Sequence, residues 1–328
     1  MSVLTEGVPA EPLVPAAPAT APHAAPVLNP VPASPDGTVL YGIAGVQMIV
    51  SAFQDNVDRM AGYMRHIRTR FPWVRMVLFS ELAPLGPRHE AEPMPGPTEE
   101  RLCAMARETG LWLIPGSMFE AAPDGRVYNT TPVIDPSGTV VRRFRKLFPF
   151  RPYERDVAGG NEFCVFDVPG VGRFGVSICY DMWFPETTRT LALMGAEVIL
   201  HPTMTDTIDR DVELAIARAS AVTNQVYFFD VNGVGDGGVG RSIICDPSGY
   251  VLHEAQASAS IMPIEVDLTK VRRERERGLR SNLGQPLKSF RDREVEFDIY
   301  DRRGQAEGAV VSAPDSLLGR LGPLTKPD

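Results

Sequence analysis

The sequence has only four cysteines in 328 residues, at positions 103, 164, 179 and 245, and no two form a C-x-x-C pair. Thiols this sparse and scattered make no disulfide framework and fit a reducing compartment. Histidine is also scarce, five in all, and no H-E-x-x-H brings two together, so no metal site is expected. No apolar run approaches the ~18 residues that cross a bilayer. The N-terminus lacks the basic and apolar regions of a secretory signal. These absences point to a cytoplasmic protein with no membrane partner. A concentrated basic surface is missing too. Lys and Arg total 33 against 41 Asp and Glu, a net charge of −8, which argues against a nucleic-acid partner. The one basic cluster, Arg272–Arg280, is broken by Glu274 and Glu276 and reads as a solvated, salt-bridged segment.

What remains is ordinary globular composition, 44 % hydrophobic and 23 % charged, enough for a large core without metals or cross-links. Residues 1–36 stand apart, with nine prolines, eight alanines and three charged side chains. Such a stretch buries too little apolar surface to offset its ordering entropy. It reads as a disordered Pro/Ala-rich leader over 1–38, with a partner-binding arm as the alternative. A regular domain is expected over 39–271. The charged, Gly- and Pro-punctuated stretch 272–328 is expected as a C-terminal extension with a role in oligomer formation.

Within the regular part, VLYGIAGVQMIV has the β-branched content of a buried strand. Asp55-Asn56 then opens a helix with Val57, Met60, Met64 and Ile67 on one face. VRMVLFS is the next strand, followed by a helix over Glu99–Thr109, the strand LWLIPGSMF and a hairpin turning at Pro136-Ser137-Gly138. The second half repeats this grammar. Strand GRFGVSI, helix PETTRTLALMG, strand AEVILH, helix IDRDVELAIARASAVTN and strand QVYFFDVN lead to a hairpin turning at Pro247-Ser248-Gly249. Strands alternating with helices in two similar blocks predict an α/β fold. Near-continuous apolar strands predict sheets covered on both faces.

Polar residues placed just after apolar strands are the candidates for chemistry, because ligands in α/β folds gather beyond the carboxyl ends of strands. Glu81 follows VLFS, Lys146 lies in RRFRKLFPF, and Cys179 follows GVSI ahead of a helix. A thiol at a strand-to-helix turn is expected to have its pKa lowered by the helix N–H groups, which can also hold an oxyanion. Singly, each residue has a blander reading: a strand-end charge, a surface cation, a structural cysteine like Cys103, Cys164 and Cys245.

Together they resemble something more specific. GVSICYDMWFPE (175–186) is similar to the nucleophile motif of the nitrilase superfamily of carbon–nitrogen hydrolases, with Cys179 as the thiol. RKLFPFRPYE (145–154) resembles that family's lysine segment, in which a second glutamate, here Glu154, follows the lysine at this spacing. VRMVLFSEL (74–82) resembles the strand that delivers the first glutamate, and SAVTNQVYFFDVNGVG and IICDPSG resemble a later strand pair. The likeness covers roughly residues 39–270. It implies a four-layer α-β-β-α sandwich, a Glu81–Lys146–Cys179 triad assisted by Glu154, a thioester on Cys179, no cofactor and a homodimer or larger homo-oligomer. It further implies that Glu81 serves as general base, while Lys146 and the Tyr180 backbone N–H hold the oxyanion.

Departures from the family pattern narrow the substrate. True nitrilases carry Trp-Glu after the cysteine, whereas Tyr180-Asp181 is the amidase-like form. Relatives that act on carbamoylated amino acids place an arginine just beyond the nucleophile, where Met182 and Trp183 stand here. The expected activity is hydrolysis of a small, uncharged amide with release of ammonia. Acyl transfer to an amine through the same thioester, and nitrile or N-carbamoyl hydrolysis, are the alternatives. Tyr180, Trp183, Thr203 and Met204 are the expected substrate-binding residues, and Arg151 has two readings, a contact to an anionic substrate or a surface cation. Gly233-x-Gly235-x-x-Gly238 spells a dinucleotide fingerprint, but the strand RSIICD follows it, not a helix, so it reads as a glycine-rich hairpin loop.

Overall fold

The computed structural model of the protein describes residues 37–151, 153–279 and 284–297. The leader expected over 1–38 lies outside them apart from its last two residues, as does the extension beyond residue 297. In the first half the chain runs β1 (Leu40–Gln47), β2 (Ile49–Val50), α1 (Val57–Arg70), β3 (Val74–Phe79), α2 (Pro97–Thr109), β4 (Trp112–Ile114), β5 (Met118–Ala121), β6 (Val127–Ile134) and β7 (Val140–Arg145). The second half runs β8 (Val157–Ala158), β9 (Cys164–Val168), β10 (Gly172–Val176), α3 (Pro185–Leu193), β11 (Val198–Thr203), α4 (Asp209–Asn224), β12 (Tyr227–Asn232), β13 (Val234–Gly235), β14 (Ile243–Cys245) and β15 (Val251–Glu254). Then β16 (Ser260–Asp267) returns to the first sheet, and α5 (Leu268–Arg277) and α6 (Pro286–Arg291) follow.

Two large sheets result. One has the order β16-β1-β3-β4-β6-β5 with β7 and β8 also on β6, and the other β15-β14-β12-β11-β10-β9. At the heart of each, three strands run parallel: β1, β3 and β4 in the first, β10, β11 and β12 in the second. Alternation along each strand divides its side chains between two cores. Tyr41, Ile43, Met76 and Leu78 face inward and meet Phe174, Val176, Leu200, Phe229 and Val231 of the other sheet. Ala44, Val46, Val77 and Phe79 face outward beneath α1 and α2, which cover them with Met60, Met64, Ile67, Leu102 and Met105. On the opposite side Ile199 and Phe228 pack under Leu191, Leu214 and Ala217 of α3 and α4. The architecture is therefore the expected α-β-β-α sandwich, and burial on both faces explains the unbroken apolar strands.

Two boundaries differ from the sequence expectation. Helix α2 starts at Pro97 rather than Glu99, because proline has no N–H to leave unsatisfied in a first turn and its φ is already helical. Helix α5 runs across residue 271, where the regular part was expected to end. It is capped by Asp267, whose side chain accepts from the Lys270 N–H at 3.1 Å. Its Arg272, Arg273, Glu276 and Arg277 are exposed and Arg272 is salt-bridged, as expected, while Arg272 and Arg275 also dock the helix. Arg272 grips Glu197 with Nε at 2.7 Å and Nη2 at 3.1 Å, and Arg275 donates to the backbone carbonyls of Ala196 and Gln225. Among the described residues no helix is long and apolar enough to cross a membrane, and no group of three or more His, Cys, Asp or Glu is placed to hold a metal ion.

Candidate active site

Glu81 and Cys179 belong to different sheets, and the packing of the sheets brings them together. Glu81 lies just beyond β3, where its N–H donates to the Thr203 carbonyl at the end of β11, at 3.2 Å. Lys146 follows β7 and is held through its own N–H by the Asn129 carbonyl at 2.8 Å. Its Nζ donates to Glu81 Oε1 at 2.9 Å and to Glu154 Oε2 at 2.8 Å. Lys146 and Glu81 are 1 % and 3 % exposed, so both charges are buried and depend on each other for solvation. The Cys179 thiol donates to the Met204 carbonyl at 3.8 Å, and it lies near enough to the Glu81 carboxylate for each to shift the other's pKa.

Electrostatics in this cluster follow from burial and from one cation serving two carboxylates. Burial pushes the Glu81 carboxyl above its ordinary range; Lys146 pulls it back, and the Glu154 charge adds to the rise. Burial also opposes the Glu154 charge, but Lys146 and the Phe150 N–H outweigh it and hold that carboxyl below the usual range. The Lys146 ammonium is disfavoured by burial, yet Glu81, Cys179 and Glu154 more than compensate and raise its pKa well above normal. These protons belong to one coupled set.

Cys179 departs from expectation in one respect. Burial, then the facing Glu81 charge, push its thiol well above the ordinary cysteine range, whereas a lowered pKa was expected. The physical reason is local. Cys179 opens a short 3-10 turn, Cys179–Trp183, and α3 begins only at Pro185, so no long helix points its N-terminus at the sulfur. The turn at Cys179 is also strained: Cys179 has φ 46°, a left-handed conformation that L-residues reach only when the surroundings impose it. Asp181 supplies part of that restraint. Its Oδ1 accepts from the Leu147 and Phe148 N–H groups at 3.0 and 2.9 Å, and its Oδ2 from the Ile178 N–H at 3.0 Å. One buried carboxylate thereby clips the cysteine turn to the segment that follows Lys146.

The thiol faces a cavity of about 600 Å³, walled by Phe150, Tyr153, Tyr180 and Trp183 on one side and by Met204–Thr207 on another. Tyr180, Trp183 and Met204 thus line the space as expected. Thr203 does not. It is fully buried, and its carbonyl is the acceptor for Glu81, because strand alternation turns its side chain away from the cavity. Arg151 fits neither of its readings. Its guanidinium donates to the backbone carbonyls of Glu154 and Val157, which shapes the loop that carries Glu154. The glycine-rich stretch from Gly233 leads into strand β14, as the hairpin reading requires.

A carbon–nitrogen hydrolase family model matches residues 42–276. The chain belongs to the carbon–nitrogen hydrolase family. It is 29 % identical to the omega-amidase NIT2 of Homo sapiens over 255 residues, covering 70 % of this chain and 90 % of that protein. It is 33 % identical to the deaminated glutathione amidase of Dictyostelium discoideum over 190 residues, covering 52 % of this chain and 65 % of that one. Among solved structures, Nit3 of Saccharomyces cerevisiae, a nitrilase-superfamily member, superposes with a TM-score of 0.66 at 25 % identity, covering 73 % of this chain and 94 % of its own. An amidase from Nesterenkonia sp. gives 0.63 at 22 % identity, covering 72 % and 94 %, a likeness of fold.

Some residues around the centre of this carbon–nitrogen hydrolase escaped the sequence reading. Asn129, on β6, is fully buried, and its Nδ2 donates to Glu81 Oε1 at 2.8 Å and to Glu154 Oε1 at 3.2 Å. It holds the two carboxylates that Lys146 also joins. Asn232 fixes the cavity loop to the glycine-rich stretch: its Oδ1 accepts from the Thr205 N–H at 3.0 Å and its Nδ2 donates to the Thr205 and Gly240 carbonyls. The one available signal was an asparagine inside an apolar strand, where an amide side chain is burdensome unless it has partners.

Proposed function

We propose that this carbon–nitrogen hydrolase cleaves a small linear amide through a thioester on Cys179. It is an amidase. Glu81 accepts the thiol proton as sulfur attacks the amide carbon, so the neutral resting thiol is an advantage: no thiolate is exposed to oxidants between turnovers. The charge that develops on the carbonyl oxygen is met by the Lys146 ammonium and the Tyr180 backbone N–H. Collapse breaks the carbon–nitrogen bond, and the proton held by Glu81 leaves on the amine or ammonia. Water then gives a proton to Glu81 and its oxygen to the thioester carbon. The carbon–sulfur bond breaks, the acid departs, and the proton returns to sulfur. Glu154 and Asn129 keep Lys146 and Glu81 in register throughout.

The observation that carries this reading is the buried Lys146 ammonium, held between Glu81 and Glu154 on the same cavity that Cys179 lines. That set offers a base, an electrophile and a nucleophile on one wall of a cavity. The test is a panel of short amides, carbamoyl compounds and nitriles, with ammonia release measured and the acyl-enzyme sought by intact mass. Turnover of at least one amide is expected, with both turnover and adduct lost in Cys179→Ala. Turnover that survives the substitution refutes the mechanism, and ammonia from nitriles alone refutes the substrate class. An acyl-enzyme that persists in water and collapses only with added amine would make the protein an acyltransferase.

A further inference from the structure

We infer that the amide taken by this site carries a cationic group, an ammonium or a guanidinium, a few bonds from the scissile carbonyl, and that Glu213 receives it. This rests on the amidase reading and replaces the uncharged substrate expected from sequence. Outside the catalytic groups, the charged residues that line the cavity among the described residues are Asp156, Asp206, Asp209 and Glu213, against a single cation, Arg155. A carboxylate-bearing amide would meet this wall at a loss, since like charges at close range disfavour each other.

Glu213 is the decisive member because it is buried, 3 % exposed, and still lines the cavity. It is short of positive charge. Arg210, itself 2 % exposed, donates through Nη1 to Glu213 Oε2 at 3.2 Å, the same Nη1 forms an ion pair with Asp230 Oδ2 at 2.9 Å, and its other nitrogens go to the Arg241 carbonyl. One guanidinium thus serves two buried carboxylates. Burial, and then the Asp230 charge, push the Glu213 pKa up, with Thr205 and Arg210 opposing them. That imbalance is what a third partner with positive charge would relieve. Arg210 is fully engaged and does not line the cavity, so it offers nothing to an anionic substrate.

Position and surroundings agree with a cation. Glu213 and Cys179 line the same cavity, so one substrate can meet both. Trp183 Nε1 donates to Glu213 Oε1 at 3.4 Å, which sets an indole beside the carboxylate. Tyr180 packs against Trp183 with ring centroids 6.0 Å apart and against Phe150 at 4.9 Å, so aromatic faces continue along the wall. Aromatic faces and a buried carboxylate together suit an organic cation, which the ring quadrupoles attract.

The test compares three amides of equal length that end in an ammonium (5-aminopentanamide), a methyl group (hexanamide) or a carboxylate (glutaramate). The cationic amide is expected to have a kcat/KM on the order of tenfold to a hundredfold above the neutral one, the scale of a charge-assisted hydrogen bond. The anionic amide is expected to be poorest. In Glu213→Gln the cationic-to-neutral ratio should collapse towards one. Mere structural damage lowers both rates and leaves their ratio, and that result in a folded variant overturns the proposal. So does a wild-type enzyme that prefers the neutral or the anionic amide. Calorimetric binding of pentylammonium and pentanoate supplies a readout independent of turnover. Selective binding of pentylammonium by wild type supports the assignment and equal binding refutes it, even if Glu213→Gln does not fold. Failure of every amide to turn over would refute the amidase reading, and the calorimetry would still decide the charge preference.

Discussion

Asp181→Asn is the most demanding test of how the proposed nucleophile, Cys179, is positioned. The wild-type carboxylate accepts backbone N–H groups of Leu147, Phe148 and Ile178 at 3.0, 2.9 and 3.0 Å and is fully buried. Burial pushes its pKa up to about 7, and the Ile178 and Phe148 N–H groups oppose that rise, so at pH 8 the group is charged. Asparagine keeps the shape but turns one acceptor oxygen into a donor. In its better orientation the new oxygen still serves Leu147 and Phe148, while its NH₂ faces the Ile178 N–H. One buried donor is then orphaned, at about 1–3 kcal/mol, and two charge-assisted bonds become neutral ones, for a loss of roughly 3 kcal/mol in all. For a domain of this size that lowers Tm by roughly 6–12 °C. Because the lost bond is the one to Ile178, the residue before Cys179, the proposed mechanism expects kcat to fall on the order of tenfold or more. Thermal unfolding at pH 8 and steady-state kinetics on the best amide would measure both. A variant with Tm within about 2 °C of wild type and unchanged kcat would refute the idea that Asp181 clips the cysteine turn to the lysine segment.

Other consequences are equally open to measurement. The acid limb of the kcat/KM profile should lie above the ordinary carboxylate range: Glu81 works as a base only when ionised, and its pKa is raised, so activity grows as pH rises through that value. An acid limb at the pKa of a free glutamate would contradict this. Asn129→Ala should leave kcat lower by on the order of tenfold or more, because Glu81 and Glu154 lose their shared donor; unchanged kinetics would show the amide to be dispensable. Arg210→Met should destabilise the fold by about 3–5 kcal/mol in denaturant unfolding, since it strands Glu213 and Asp230 without a counter-charge. Gly116→Ala should cost at least roughly 2 kcal/mol, because φ is +85° there and a Cβ would stand 1.8 Å from the Ser80 carbonyl oxygen, one residue before Glu81. Wild-type stability in that variant would mean the loop can move without disturbing the base.

Much of this protein was legible from sequence because the relevant information is local. A period of two in apolar strands and about 3.6 in helices fixes which faces are buried, and proline, glycine and Asx residues mark where elements stop. Those rules located both α/β blocks, the hairpins at Gly138 and Gly249 and the strand-end positions of Glu81 and Cys179. What they could not reach was anything set by the approach of distant segments. Asn129 meets Glu81 across 48 residues of chain and Asp181 meets Leu147 across 34, so neither contact leaves a trace in spacing. Thr203 and Met204 are neighbours in sequence, yet only Met204 lines the cavity, because strand alternation at the end of β11 divides them. Arg151 could be recognised as a cation but not as a staple for the Glu154 loop.

The sequence alone thus determined the α/β blocks, the order of the candidate catalytic residues along them and the family they resemble. Only the tertiary structure decided protonation and charge. It buried Cys179 beside Glu81, which raises the thiol pKa where a lowered one was expected, and it set Glu213 against the cavity with an arginine that it shares with Asp230. Both outcomes depend on desolvation, which arises only when the sheets close and exclude water from groups far apart in the chain.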